Sequence, residues 1–252
     1  MNTLLYLSDN SLDPEIMGLC QRVLLREAGD IPIVSVSQKP IDLGHNICVG
    51  EIGRSWLSLY KQIYAGLEAI ETDNVVIVEH DCLYCAEHLS YQISDPGVFW
   101  YNANHWLVNW HGNHPEFEGM YSYWARRTAL SQLVCAKTLL LESTREVLGL
   151  IENGLNVAQG LRFYGEPGVK SRQFEIAYVE ASSGRSTQLQ AYLKDYVTKY
   201  TSKFFRTEIP NLDIRHHTNF TGNKRGKNRC FYLEPWGRFE DVINGNRIVS
   251  AG

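Results

Sequence analysis

Apolar positions follow two rhythms over the first 95 residues. "TLLYLS" (3–8), "IPIVSVS" (31–37) and "NVVIVEHD" (74–81) are short, nearly continuous apolar runs. Such runs predict strands buried on both faces. Between them the spacing turns helical. "DPEIMGLCQRVLLREAG" (13–29) carries Pro14 near its start and Gly29 at its end, where these residues favour helix initiation and termination. In "GRSWLSLYKQIYAGLEAIE" (53–71), Trp56, Tyr60, Ile63, Tyr64, Leu67 and Ile70 recur at the interval of one helix face. The order βαβαβ predicts an α/β fold, a mostly parallel sheet with helices on both faces.

After residue 95 the pattern changes. "GVFWYNANHWLVNW" (97–110) is aromatic and alternating, which predicts a strand or a hairpin. Residues 123–154 read as one long helix or two, 165–173 as a loop, and "STQLQAYLKDYVTKYTSKFF" (186–205) as a helix in preference to a β-rich segment. The tail from Asn211 to Gly252, rich in Gly, Asn and basic residues, is expected to wrap back over the sheet. With no internal repeat, low-complexity tract or evident linker, 1–252 reads as a single domain.

Composition narrows the classes. The 252 residues are 44% hydrophobic and 21% charged, enough for a substantial core and unlike a disordered chain. A formal net charge of -4 argues against a surface devoted wholly to nucleic acid, though not against a local basic patch. The cysteines Cys20, Cys48, Cys82, Cys85, Cys135 and Cys230 are scattered through mostly apolar stretches and read as reduced thiols. "MNTLLYLSDN" has no basic leader region, and "LVCAKTLLL" (133–141) is interrupted by Lys137. No run approaches the ~20 apolar residues of a membrane span. The expectation is a soluble cytoplasmic protein.

Chemistry concentrates in "DNVVIVEHDCLYCAEH" (73–88). In an extended chain residues i and i+2 share a side, so Glu79 and Asp81 point together with His80 opposite. They follow a strand's carboxyl end, where open α/β sheets bind ligands. Two hard oxygen donors there suit Mg²⁺ or Mn²⁺ bridged to phosphates; the plainer reading is an acidic strand end in solvent. A rival site is zinc on His80, Cys82, Cys85 and His88, with Cys230 or His216–His217 as the second ligand pair. Alternatively, Cys82 and Cys85 are packed thiols and His88 begins or caps a helix.

"VVIVEHDCLYCAEHL" (75–89) resembles the strand-plus-metal motif of glycosyltransferases with the GT-A fold. It is similar to a family-2-like group from bacteria and phages with Glu-His-Asp in place of Asp-x-Asp, followed by an aliphatic–Tyr pair and a His. "FWYNANHWLVNW" (99–110) and "PNLDIRHHTNFTGNKR" (210–225) resemble two further stretches of that group, in the same order. The resemblance implies a GT-A-like domain: a nucleotide-sugar half at 1–95, an acceptor half at 96–200, and a basic segment at 201–252 closing over the donor. It implies Mn²⁺ or Mg²⁺ on Asp81, Glu79 and His216, and a nucleoside-diphosphate sugar, with uridine the guessed nucleoside. Ser8, Asp9 and Asn10 would hold base and ribose, or else cap the helix at Pro14. Arg54 and Ser55 would contact phosphate or ribose at a helix N-terminus, or cap it. Glu79 could reach the ribose, and Arg215 with Lys224 or Arg225 would lie over the diphosphate.

By the same resemblance the reaction moves a sugar to an acceptor hydroxyl, with Glu116 or Glu118 as general base. The acceptor is open: a sugar, a lipid headgroup, a protein, or hydroxymethylated pyrimidine in phage DNA. DNA draws on the aromatics Trp100, Tyr101, Trp106, Trp110, Tyr121, Tyr123 and Trp124, and on a basic tail of Lys203, Arg206, Arg215, Lys224, Arg225, Lys227 and Arg229. The alternatives to a transferase are a metal-dependent hydrolase at the Cys/His cluster and a non-catalytic nucleotide- or nucleic-acid-binding module.

Overall fold

The three N-terminal apolar runs form the strands they predict: β1 (Asn2–Ser8), β2 (Ile33–Ser37) and β4 (Asn74–Glu79), with β3 (His45–Cys48) added at the edge. The structure is a computed structural model that describes residues 1–112, 115–124, 128–152, 166–168, 199–219 and 226–245. β1 pairs in parallel with both β2 and β4. The helices are α1 (Pro14–Ala28) and α2 (Trp56–Ala69). Asp13 caps α1, its carboxylate accepting from the Glu15 and Ile16 amides, and Ser55 caps α2 by accepting from the Ser58 amide.

α2 lays Tyr60, Ile63 and Leu67 on one face of the sheet against Leu5 and Val36. A Cβ at Gly66 would lie 2.2 Å from Leu5 Cδ1, so this close approach requires glycine. α1 covers the other face. Its C-terminal half, Leu24 and Ala28, packs on Leu4, Tyr6 and Val76, while Ile16, Leu19, Cys20 and Val23 join a different core. That core belongs to a second sheet, which the sequence does not foretell.

The first sheet has seven strands in the order β10-β6-β9-β4-β1-β2-β3, with β6 at Val98–Asn102, β9 at Leu133–Ala136 and β10 at Thr201–Phe205. It is mostly parallel; β9 alone runs antiparallel, between β4 and β6. β9 and β10 correct two helical expectations. Within 123–154, "LVCA" is a central strand at most 4% exposed, and helix α4 starts only at Lys137 and runs to Glu152. Four apolar residues are too few to reveal a period. In 186–205, "TSKFF" is an edge strand parallel to β6, while 186–198 lie outside the described residues.

The second sheet has the order β12-β8-β7-β11-β5. Its strands are β5 (Cys82–Leu83), β7 (His105–Asn109), β8 (Tyr121–Tyr123), β11 (Asn211–Arg215) and β12 (Lys227–Cys230). Residues 97–110 are therefore no hairpin, because β6 and β7 lie in different sheets. The tail builds the second sheet rather than folding over the first, and Trp236 and α5 (Phe239–Ile243) pack on it with α1.

Two strand pairs cross between the sheets together. β6 runs parallel to β10, and after the crossing β7 runs parallel to β11. Buried asparagines fasten the crossing. Asn102 Nδ2 donates to Thr207 Oγ1 at 2.9 Å, and its oxygen accepts from the Asn104 amide at 2.9 Å. Asn104 Nδ2 donates to the Thr207 and Glu208 carbonyls, and Asn211 donates to Gln132 while accepting from the Cys85 amide. Asn102→Ala is expected to cost about 1–3 kcal/mol, the scale of buried partners left unpaired. Urea denaturation of both forms measures it, and an unchanged midpoint would contradict this role.

Candidate functional site

A cleft with about 1040 Å³ of empty space, counted out to its open mouth, lies across the carboxyl ends of β1 and β4, against the end of β11. Glu79 and Asp81 are on its floor with Arg215 and His216 facing them, and Ser8, Asp9, Arg54 and Ser55 line it further along. Thus eight of the residues expected to hold the metal and the nucleotide share one cavity, and His80 lines it too.

Period-2 geometry brings Glu79 and Asp81 together: their carboxylates and the Cys82 thiol offer atoms all within 4.8 Å of one another. The Ile214 amide donates to the Asp81 carbonyl at 2.8 Å, and the Glu79 amide to Tyr84 Oη at 2.9 Å, so both backbones are held. His216 Nε2 lies 3.5 Å from Asp81 Oδ2, and Asn219 Nδ2 donates to the same oxygen at 3.0 Å. The other ring nitrogen of His216 bonds Thr218 Oγ1 at 2.8 Å, which orients the ring, as second partners of metal-binding histidines do. Arg215 pairs with Asp213, and His105 Nε2 lies 3.6 Å from Asp213 Oδ2.

The two acids are pushed apart in acidity. Burial, followed by the charges of Asp81, Asp213 and Glu166, drives the Glu79 carboxyl well above the usual range. Burial also opposes ionisation of Asp81, but the His216 hydrogen bond and the charges of His80 and Arg215 outweigh it and hold that carboxyl low. Close acids titrate as a pair, and a cation between them favours ionisation of both. The two carboxylates suit Mg²⁺ or Mn²⁺, with the His216 imidazole beside Asp81. The residues therefore fit the metal that the sequence implies.

The zinc cluster is not assembled. His88 is fully buried in helix α3 (Ala86–Leu89), stacked between Tyr84 and Phe205, and burial with the nearby His105 lowers its pKa to about 3. The Cys85 thiol donates to the Ile209 carbonyl, and burial raises its pKa to about 11. Among the described residues the only group of three metal-capable side chains is Glu79, Asp81 and Cys82. Burial and the neighbouring acids push the Cys82 thiol far up, which leaves it a poor ligand beside two carboxylates.

The donor side of the cleft is tied together. Arg54 pairs with Asp9 and donates from Nη2 to the Thr218 carbonyl at 2.7 Å. That leaves three of its five N–H groups for a ligand. Ser8 Oγ and His80 Nδ1 share a hydrogen bond of 2.9 Å. None of Ser8, Asp9 or Asn10 caps α1, a task that falls to Asp13. Ser55 both caps α2 and lines the cleft. Asn10 is outside the lining; its Oδ1 accepts from the Gln38 and Lys39 amides and joins the loops after β1 and β2.

Glu116 and Glu118 sit between β7 and β8, and neither lines the cleft. Glu118 accepts from the His111 amide at 2.8 Å, and the His111 carbonyl accepts from the His217 amide. Glu118 therefore braces the turn that carries His216. Lys224 and Arg225 lie outside the described residues. Sequence reasoning missed Gln38, Gln62, Asp213, Glu166 and Asn219 as lining residues. Asp213 had a readable signal, since Asp213 and Arg215 alternate in "NLDIR" as Glu79 and Asp81 do.

No protein-family model matches the chain, and no curated protein matches it. Solved structures do. A glycosyltransferase involved in glycosylation of the major capsid of PBCV-1 is 9% identical with a TM-score of 0.43, over 84% of this chain and 92% of that one. Bifunctional IspDF from Campylobacter jejuni is 10% identical with a TM-score of 0.40, over 82% of this chain and 50% of that one. The galactosyltransferase LgtC, solved with donor and acceptor sugar analogs, is 11% identical with a TM-score of 0.39, over 99% and 98%. This chain spans about half the length of IspDF and nearly all of the other two. The scores are low, so the functional reading rests on the site itself.

Thr218→Val removes the hydroxyl that orients His216. Its affinity for Mn²⁺, measured by calorimetry, is expected to fall about tenfold or more. Unchanged affinity would remove His216 from the ligand set.

Proposed function

We propose that the protein is a divalent-metal-dependent glycosyltransferase that moves a sugar from a nucleoside-diphosphate sugar to an acceptor hydroxyl. The observation that carries this reading is the Glu79–Asp81 pair at the carboxyl end of a mostly parallel sheet, faced by Arg215 and His216 in a cleft that Ser8, Asp9 and Arg54 also line. The sequence resemblance at 75–89, 99–110 and 210–225 points the same way.

Glu79, Asp81 and His216 would hold Mg²⁺ or Mn²⁺, which when bound supplies Lewis-acid charge next to a diphosphate. Arg215 and the spare N–H groups of Arg54 would bind diphosphate oxygens and offset the charge left on them as the bond to the sugar C1 breaks. Ser8 and Asp9 offer short polar side chains to ribose hydroxyls. The acceptor oxygen forms the new bond to C1 and gives its proton to a carboxylate. Glu166 lines the cleft close enough to Glu79 to raise its pKa, and we assign it as the base in preference to Glu116 or Glu118.

The acceptor is a hydroxyl compound. Modified DNA is not favoured, because four of the described basic side chains of the tail have local duties. Lys203 pairs with Asp95 and covers Trp100, Arg206 covers Tyr123, Arg229 covers Phe117, and Arg215 is buried on Asp213. No helix among the described residues is long and apolar enough to cross a membrane.

A thermal-shift panel of nucleoside diphosphates tests the reading. At least one is expected to raise the melting temperature with Mn²⁺ but not with EDTA. Asp81→Asn is expected to abolish that shift and to lower turnover with the matching sugar nucleotide about 10²–10³-fold. Metal-dependent binding without turnover of any donor would favour the binding module. Stoichiometric zinc lost on Cys82→Ser would favour the hydrolase.

A further inference from the structure

Gln62, on α2, lines the cleft yet is only 3% exposed. Its Nε2 donates to the Ser8 carbonyl at 2.7 Å and to the Val36 carbonyl at 3.2 Å. Those two carbonyls fix the amide, because the flipped group would set oxygen against oxygen. Oε1 is thereby turned away from β1 and β2, and both hydrogen bonds of the side chain go through Nε2. Oε1 accepts from no group of the described residues and keeps some access to the cleft, so a ligand N–H can reach it. The neighbouring Gln38 differs: Nε2 donates to the Gly53 carbonyl at 2.6 Å and Oε1 accepts from the Ile52 amide at 3.1 Å. Gln38 is a satisfied wall, whereas Gln62 has an acceptor to offer.

The position of Gln62 says which part of a ligand meets that acceptor. Along the carboxyl edge of the first sheet the order β4-β1-β2 leads from the acid pair to the strands that Gln62 bridges. Two strand spacings are about 10 Å. Leu59, one turn earlier on α2, and Trp56 line the same end of the cleft. With the diphosphate at the acids, the far end receives the nucleobase between apolar side chains.

Resting on the glycosyltransferase reading above, we propose that Gln62 Oε1 selects the donor's nucleobase by accepting a ring N–H. Uracil and guanine present that donor at N3 and N1. Cytosine and adenine carry a lone pair at the corresponding nitrogen, which would face the carbonyl oxygen and repel it.

Calorimetry with Mn²⁺ and the wild-type protein tests this on the ligand side, where no variant need fold. UDP or GDP is expected to bind about tenfold or more tighter than CDP and ADP, the scale of one buried hydrogen bond. Methylation at N3 of UDP, or at N1 of GDP if guanine is preferred, is expected to remove that advantage. Gln62→Met, which keeps the length and loses the oxygen, is expected to bring methylated and parent nucleotides to within about threefold. Equal binding of parent and methylated nucleotide to wild type overturns the proposal and leaves the transferase reading standing. Binding of none of them overturns both.

Discussion

The crossing of two parallel strand pairs between the sheets is the constraint on which the site depends. β4 delivers Glu79 and Asp81 from the first sheet, while β11 delivers Asp213, Arg215 and His216 from the second. These groups meet only because β6–β7 and β10–β11 change sheets side by side, with Asn102 and Asn104 answering the polar groups of Thr207 and Glu208 at the corner. An apolar residue there would leave backbone groups unpaired where water is excluded. α1 adds a second tie, since one half packs in each core. Position within the cleft is thus a product of hydrogen-bond geometry some distance away.

Electrostatics then sets how the cleft behaves without a ligand. Glu79, Asp81, Asp213 and Glu166 converge on Arg215, His80 and His216. The arrangement carries more acid than the nearby cations balance, and burial with the neighbouring acids raises the Glu79 pKa. Burial lowers the pKa of His80 despite the acids around it, so it acts more as a hydrogen-bonding wall for Ser8 than as a charge. Arg54 crosses the mouth from Asp9 to Thr218, joining the loop after β1 to the turn that orients His216. Floor and rim therefore share one network.

Much of the first sheet was legible because its strands are continuous apolar runs and its helices show a full face of periodic positions. β9 escaped because "LVCA" runs straight into α4 and four residues carry no period. β10 escaped because "TSKFF" follows a long polar-apolar stretch and, at a sheet edge, needs no buried pattern. The second sheet was hidden since its pairings join residues far apart, as in Asp213 with Cys82. At the site, the acid pair could be read from i, i+2 spacing and from resemblance. Gln62 could not, because a glutamine becomes an acceptor only once its amide nitrogen is committed elsewhere. Glu116 and Glu118 follow an aromatic strand in sequence, but that nearness does not carry them into the cleft.

The order in which the chain leaves the ribosome gives the crossing another meaning. When β4 has emerged, both acids exist, but Arg215, His216 and Asn219 are more than a hundred residues away in a chain of 252. β10 and β11 arrive late and must dock beside β6 and β7, partners made long before. A nascent or truncated chain can therefore display the acidic floor of the cleft while lacking its cationic wall. Ligand competence waits on the docking of β11.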